Sequence, residues 1–137
     1  MKTPISLRKI YPFISRIRDN RYALISQLLS FSVFNASDPD AELQWLMDKR
    51  NGSKVKMSMN RTSKGWTLDL SGNTGLSNIQ YLSHFPFHHI NFQRSTVNFA
   101  DSRLEGFVNL KSFEISKGKH NVKVLAVLKR KFKLIEK

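Results

Sequence analysis

The chain has 137 residues, 40% of them apolar and ten of them Phe, the length of one domain with enough apolar surface for a packed core. It has no cysteine, which excludes disulfides and thiolate metal sites. The formal charge of +13 sits at the ends: residues 1–36 carry six Lys/Arg against Asp19, residues 37–110 carry eight against seven acids, and residues 111–137 carry nine against Glu114 and Glu136.

In chain order, Pro12 is placed as the first residue of a helix. Phe13/Ile14, Ile17, Leu24/Ile25 and Leu28/Leu29 follow at helical spacing with Arg16, Arg18 and Arg21 between them, so a basic amphipathic helix is predicted over about 12–31. "ALISQLLSFSVFNA" (23–36) is uncharged after a basic region. Phe34, however, occupies a position where a signal cleavage site wants a small residue, and a folded helix is the reading adopted over a leader or transit peptide. No run of 18 apolar residues predicts a membrane span.

"NASDP" (35–39) interrupts the pattern. Asp38 or Ser37 caps a second helix whose first turn holds Pro39, Asp40 and Glu42. Leu43, Leu46 and Met47 form its inner stripe, and Asn51–Gly52 ends it. Val55, Met57 and Met59 then alternate with polar residues, "RTSKG" (61–65) makes a loop, and Trp66, Leu68 and Leu70 alternate again: a β-hairpin.

The second hairpin strand begins a spacing pattern. Leu68–Asp69–Leu70, Ile90–Asn91–Phe92 and Phe113–Glu114–Ile115 superimpose at offsets of 22 and 23, carrying Leu82 onto Leu104 and Phe85 onto Phe107. Phe87 and Leu110 each stand three before a strand centre, and Asn73 and Ser95 share the turn position. These segments, "LDLSGNTGLSNIQYLSHFP" (68–86), "FPFHHINFQRSTV" (85–97) and "LEGFVNLKSFEIS" (104–116), resemble leucine-rich repeats of the short arrays found in some bacterial signalling proteins. Phe92 and Phe113 stand where the family has Leu, and Gly118 where it has a turn Asn.

The resemblance implies an α/β fold: a short solenoid of parallel strands with N-terminal helices and a capping hairpin. The expected single domain divides into a basic helical segment (1–36), a helix-and-hairpin cap (37–64), repeats (65–117) and a basic C-terminal cap or tail (118–137). Leu68, Leu70, Leu82, Phe85, Ile90, Phe92, Leu104, Phe107, Phe113 and Ile115 are predicted to be buried. Val122, Val124, Leu125, Val127, Leu128, Phe132, Leu134 and Ile135 are expected to cover the last edge.

In such an array alternate strand residues point outward on a concave face. They would be Thr67, Asp69 and Ser71; His89, Asn91 and Gln93, with Arg94 beyond; and Ser112 and Glu114. That polar surface suits a protein partner of unidentified kind. A second reading uses the basic ends, Arg16, Arg18 and Arg21 with Lys129, Arg130, Lys131 and Lys133, to contact nucleic acid or an anionic membrane.

No metal site, cofactor or catalytic centre is expected. His88 and His89, as neighbours on a strand, should face opposite ways and so not share an ion with His84. "SGNTG" (71–75) lacks the Lys-Ser/Thr of a phosphate loop. Asp69 and Glu114 stand two strands apart with no recognisable nucleophile between them.

Overall fold

The computed structural model describes residues 7–14, 22–76, 79–97, 99, 104–118 and 120–137. Within them the chain is a mixed α/β domain of four α-helices and one five-stranded sheet.

Helix α1 spans Leu7–Ile14 and α2 Tyr22–Phe34. The predicted helix start is thereby corrected: Pro12 lies six residues into α1, where its ring removes one backbone donor, not at a first position. Residues 15–21 of the predicted 12–31 helix lie outside the described residues. The predicted apolar stripe is corrected too. Ile25, Leu29 and Val33 enter the core, but Phe13, Leu24, Leu28 and Phe31 face outward. α2 carries no charge and is apolar on both sides. Ser26 is fully buried in it, and its hydroxyl accepts from the His84 backbone N–H at 2.8 Å. No helix among the described residues is long and apolar enough to cross a membrane.

Helix α3 (Pro39–Asn51) follows its sequence signals. Asp38 caps it by accepting from the Ala41 N–H at 3.2 Å, Pro39 opens it, and Gly52 closes it at φ +75° by donating to the Asp48 carbonyl. Leu43, Leu46 and Met47 are buried.

The sheet consists of β1 (Ser58–Thr62), β2 (Gly65–Asp69), β3 (Phe87–Asn91), β4 (Ser112–Ile115) and β5 (Lys133–Glu136), side by side in chain order. β1 and β2 form the antiparallel hairpin, with Ser63 and Lys64 as its tip; β2 to β5 run parallel. The residues that the spacing superimposes are those that pair: Leu68 with Ile90, Ile90 with Phe113. The register then continues past the predicted tail, since Phe113 pairs with Leu134. Between β4 and β5 lies helix α4 (Val122–Lys129), capped by Asn121. The segment read as a basic cap is thus a helix and a fourth parallel strand. Leu125, Leu128 and Phe132 are buried as expected, but Val122 and Val127 face solvent at 80% and 51% exposure and cover nothing.

All the core residues predicted for the strands and returns are buried. Two aromatic clusters fill the interior. Phe34 from α2 meets Trp66, Phe85 and Phe87, with ring centroids 5.1–6.1 Å apart. Phe113 meets Phe92, Phe99 and Phe132 at 5.7–6.2 Å. These spacings suit tilted and edge-on aromatic packing.

Polar staples close the turns after the strands. The buried Asn73 amide donates to the Leu70 carbonyl at 2.8 Å and the Lys56 carbonyl at 2.7 Å, while its oxygen accepts from the Lys56 N–H at 2.8 Å. The Asn73 N–H donates to the Ser95 hydroxyl, which itself donates to the Leu70 carbonyl. The Asn73 side chain thus ties the approach to β1 to the β2 turn, and its backbone N–H with the Ser95 hydroxyl ties in the next turn.

Candidate functional site

The strand register aligns the outward residues in rows. Thr67, His89, Ser112 and Lys133 form one row straight across β2 to β5; Asp69, Asn91, Glu114 and Ile135 form the next. The predicted outward residues are therefore neighbours on one face.

Several of them also have structural work. Asp69 accepts from the Ser71 N–H at 2.8 Å and Asn91 from the Gln93 N–H at 2.9 Å, so each side chain turns the chain at the end of its strand. Arg94 sits at φ +55°, and its N–H donates to the Ser116 hydroxyl at 2.7 Å, which makes it a turn residue whose side chain is free to face solvent. Thr67 donates to the Asn60 carbonyl at 3.3 Å.

The centre of the face is a relay. Ser112 Oγ lies 2.5 Å from His89 Nδ1, His89 Nε2 lies 2.8 Å from Glu114 Oε2, and Lys137 Nζ lies 2.6 Å from Glu114 Oε1. Partial burial opposes ionisation of Glu114. The hydrogen bonds and charges of Lys137 and His89 outweigh it, so the carboxyl lies below its ordinary range. An ionised Glu114 can only accept at Nε2–H, and in the Nε2–H tautomer Nδ1 is the acceptor that faces the Ser112 hydroxyl. His89 is thereby held in one tautomer and one orientation. The serine–histidine–carboxylate order is that of a nucleophilic triad, but the hydroxyl stands on an open sheet face and Glu114 divides its charge between His89 and a lysine.

Beside the relay the face sinks into a depression of about 680 Å³. Three cations line it: Lys64 from the hairpin tip, Lys111 just before β4, and Lys133 at the start of β5. Thr67, Ser112 and Asn109 add hydroxyl and amide groups, and Pro86 and Ile135 add apolar wall. Among the described residues no carboxylate lines it.

His88 and His89 both line this depression, which corrects the expectation that they face opposite ways. The pairing of β2 with β3 shifts between Trp66 and Thr67: Trp66 pairs with Phe87 but Thr67 with His89, leaving His88 as the extra residue of a bulge. His88 Nε2 reaches the Thr62 hydroxyl at 3.3 Å. Gly65, at φ +128°, makes room for the ring, since a Cβ there would lie 3.3 Å from His88 Cδ2. Among the described residues no group of three or more His, Cys, Asp or Glu is placed to hold a metal ion.

Only the C-terminal basic residues lie among the described ones, and they are spread over different partners. Arg16, Arg18 and Arg21 lie outside the described residues. Lys129 is 4.0 Å from Glu136, Lys131 donates to the Glu105 carbonyl, and Arg130 is exposed, while Lys133 turns into the depression. Sequence reasoning missed Lys64, Lys111 and Asn109. No spacing links them; only the strand register brings them to one place.

Acid should weaken this fold in two steps. Burial lowers the pKa of His120, whose Nε2 has no partner among the described residues, so below about pH 6.5 the unfolded chain takes up that proton first. Glu114, with its depressed folded pKa, stabilises fully above the unfolded glutamate value of about 4.3, and that contribution is lost as pH falls through the folded value. Melting temperatures of wild type and Glu114→Gln between pH 7 and 3 check this. The wild-type advantage should be constant above pH 5 and vanish in strong acid; a constant gap throughout would refute the ion pair's role.

Comparison with known proteins finds no matching family model, no matching curated protein and no matching solved structure.

Proposed function

We propose that this chain is a non-catalytic protein-binding module, a short leucine-rich-repeat-like solenoid whose outward strand residues form the contact surface. The observation that carries the reading is the in-register row Thr67–His89–Ser112–Lys133, which lays a continuous polar surface across four strands beside an open depression. Support for the solenoid comes from consecutive parallel pairing at offsets of 22, 23 and 21, read from Leu68, Ile90, Phe113 and Leu134. Leu82, Leu104 and Leu125 recur in the returns between strands, and all are buried. A rigid sheet with its outward side chains pre-oriented binds with little ordering cost. Polyanion binding through the basic ends has less support, because Lys129 and Lys131 already have protein partners and Lys133 belongs to the face.

Photo-crosslinking residues placed at Thr67, at Ser112 and, as a control, at Lys123 on α4 test the face. Partner adducts should form from the first two positions only; adducts from Lys123 alone would relocate the surface. The non-catalytic part is tested with p-nitrophenyl acetate: wild type and Ser112→Ala should hydrolyse it at the same background rate, and a rate that falls with the serine would make the relay an active site.

A further inference from the structure

We infer that the depression is built for an extended acidic peptide segment, with carboxylates at alternate positions seated on Lys64, Lys111 and Lys133. The inference rests on reading the outward face as a binding surface and identifies the chemistry of what binds there.

Charge is the first ground. Three lysines from three separate parts of the chain line one depression, and no carboxylate among its described lining residues neutralises them. Glu114, the carboxylate bonded to the lining residue His89, is also paired with Lys137. Cations gathered without counter-charges repel one another unless an anion joins them, so an acidic ligand gains both its own attraction and relief of that repulsion.

Spacing is the second. Lys64 stands at the hairpin tip beside the first residue of β2, and Lys111 directly precedes β4. Lys133 opens β5, its N–H donating to the Lys111 carbonyl at 2.9 Å. From β2 to β5 is three strand spacings, about 14 Å at about 4.8 Å each. A chain laid across the strands advances about 3.3 Å per residue and presents alternate side chains to one side about 6.6 Å apart. Three carboxylates at every second position therefore span about 13 Å, close to the three strand spacings. Lys64, three positions before Thr67, and Lys111, one before Ser112, stand off the Thr67–Lys133 row and line the depression through their long side chains. Thr67, Ser112 and Asn109 already make one bond each within the fold, and their oxygens keep acceptor capacity for the peptide's main-chain N–H groups, which need partners once covered.

The lining argues against a nucleic acid. Among the described residues no Phe, Tyr or Trp lines the depression, and its two imidazoles are tied by hydrogen bonds to Thr62, Ser112 and Glu114, so unpaired bases would find no broad stacking platform. The neighbouring Trp66 ring is taken, held against Phe34 at 5.1 Å and covered by Arg61 at 5.8 Å.

Fluorescence anisotropy at about 50 mM salt, where charge contacts are weakly screened, tests this with the whole chain. The probes are a labelled Glu-Ser-Glu-Ser-Glu peptide, its isomer with the three Glu adjacent, and a short oligouridylate. The alternating peptide should bind more tightly than its isomer and than the oligouridylate. Lys64→Gln/Lys111→Gln/Lys133→Gln should weaken it about tenfold or more. Lys9→Gln/Lys54→Gln/Lys123→Gln removes the same charge from exposed sites away from the depression and should stay within about twofold of wild type. Thermal melts verify that both variants fold. Equal losses in the two triple variants, tighter binding of the oligouridylate, no preference for the alternating peptide or no binding at all would each overturn the proposal. The crosslinks from Thr67 and Ser112 separate the two readings. If they persist while the peptide fails, only the acidic ligand is wrong; if they vanish too, the face is not the binding surface.

Discussion

Phe113→Ala should cost about 3–5 kcal/mol, the usual penalty for emptying a fully buried phenylalanine site, and so remove a large part of a typical domain's 5–15 kcal/mol. Phe113 has no exposed surface, and its ring touches those of Phe92, Phe99 and Phe132. Those three come from the strand before, the return between and the approach to the strand after, so the cavity would lie where consecutive strands and returns meet. Little relaxation is open to it: β3, β4 and β5 are fixed in register on both sides. Urea unfolding measures the loss. Phe113→Leu should recover a substantial share, because it restores most of the apolar volume; a loss below about 1 kcal/mol for Ala would mean that the site collapses or was never tightly packed.

Asn73→Ala is the polar counterpart, expected at about 2–4 kcal/mol. It strips partners from the Lys56 N–H and the Lys56 carbonyl and removes one of the two donors to the Leu70 carbonyl, which keeps Ser95, and each buried group left unpaired costs about 1–3 kcal/mol. Water can reach the exposed Lys56 side of the staple, which keeps the total below the sum. Asn73→Asp separates the roles. It keeps the acceptor for Lys56 but turns a carboxylate toward two carbonyls, so at neutral pH it should destabilise at least as much as alanine. Equal stability of Asp and Asn in chemical denaturation would show that the two donated bonds contribute nothing.

The strand pairing was legible because apolar residues recur with a fixed offset, and a residue that must be buried in one rung must be buried in the next. Leu82 with Leu104 and Phe85 with Phe107 needed no more than that. The last rung obeyed the same rule, Leu125 and Leu128 standing 21 positions after Leu104 and Phe107, yet Lys129, Arg130, Lys131 and Lys133 made it read as a solvated tail. A strand whose two middle residues, Leu134 and Ile135, are both only partly buried carries a weak alternating signal. The N-terminal helices were misread for a different reason: α2 is apolar on both sides, so periodicity could not say which side is inside. The candidate site was half legible. Alternation placed Thr67, His89, Ser112 and Glu114 together, but the depression is shaped also by the hairpin tip at Lys64, legible only as a turn, and by the bulge at His88, which leaves no mark in residue spacing.

Because strand order equals chain order, the sheet has a simple kinetic history. The two-residue hairpin between Thr62 and Gly65 closes locally, on the scale of microseconds for such units. Each later strand then docks on an edge already made, through a closure of 21 to 23 positions from Leu68 to Ile90, Phe113 and Leu134. Chain-closure entropy grows only as the logarithm of loop length, so every addition meets nearly the same barrier. Parallel sheets generally fold slowly because their partners are far apart in the chain; here none is. During synthesis, at about 5–20 residues per second, a strand meets its template within seconds of the previous one. On this order the growing edge is the newest strand until the next one docks, while β1 stays the opposite edge and β5 ends as the last.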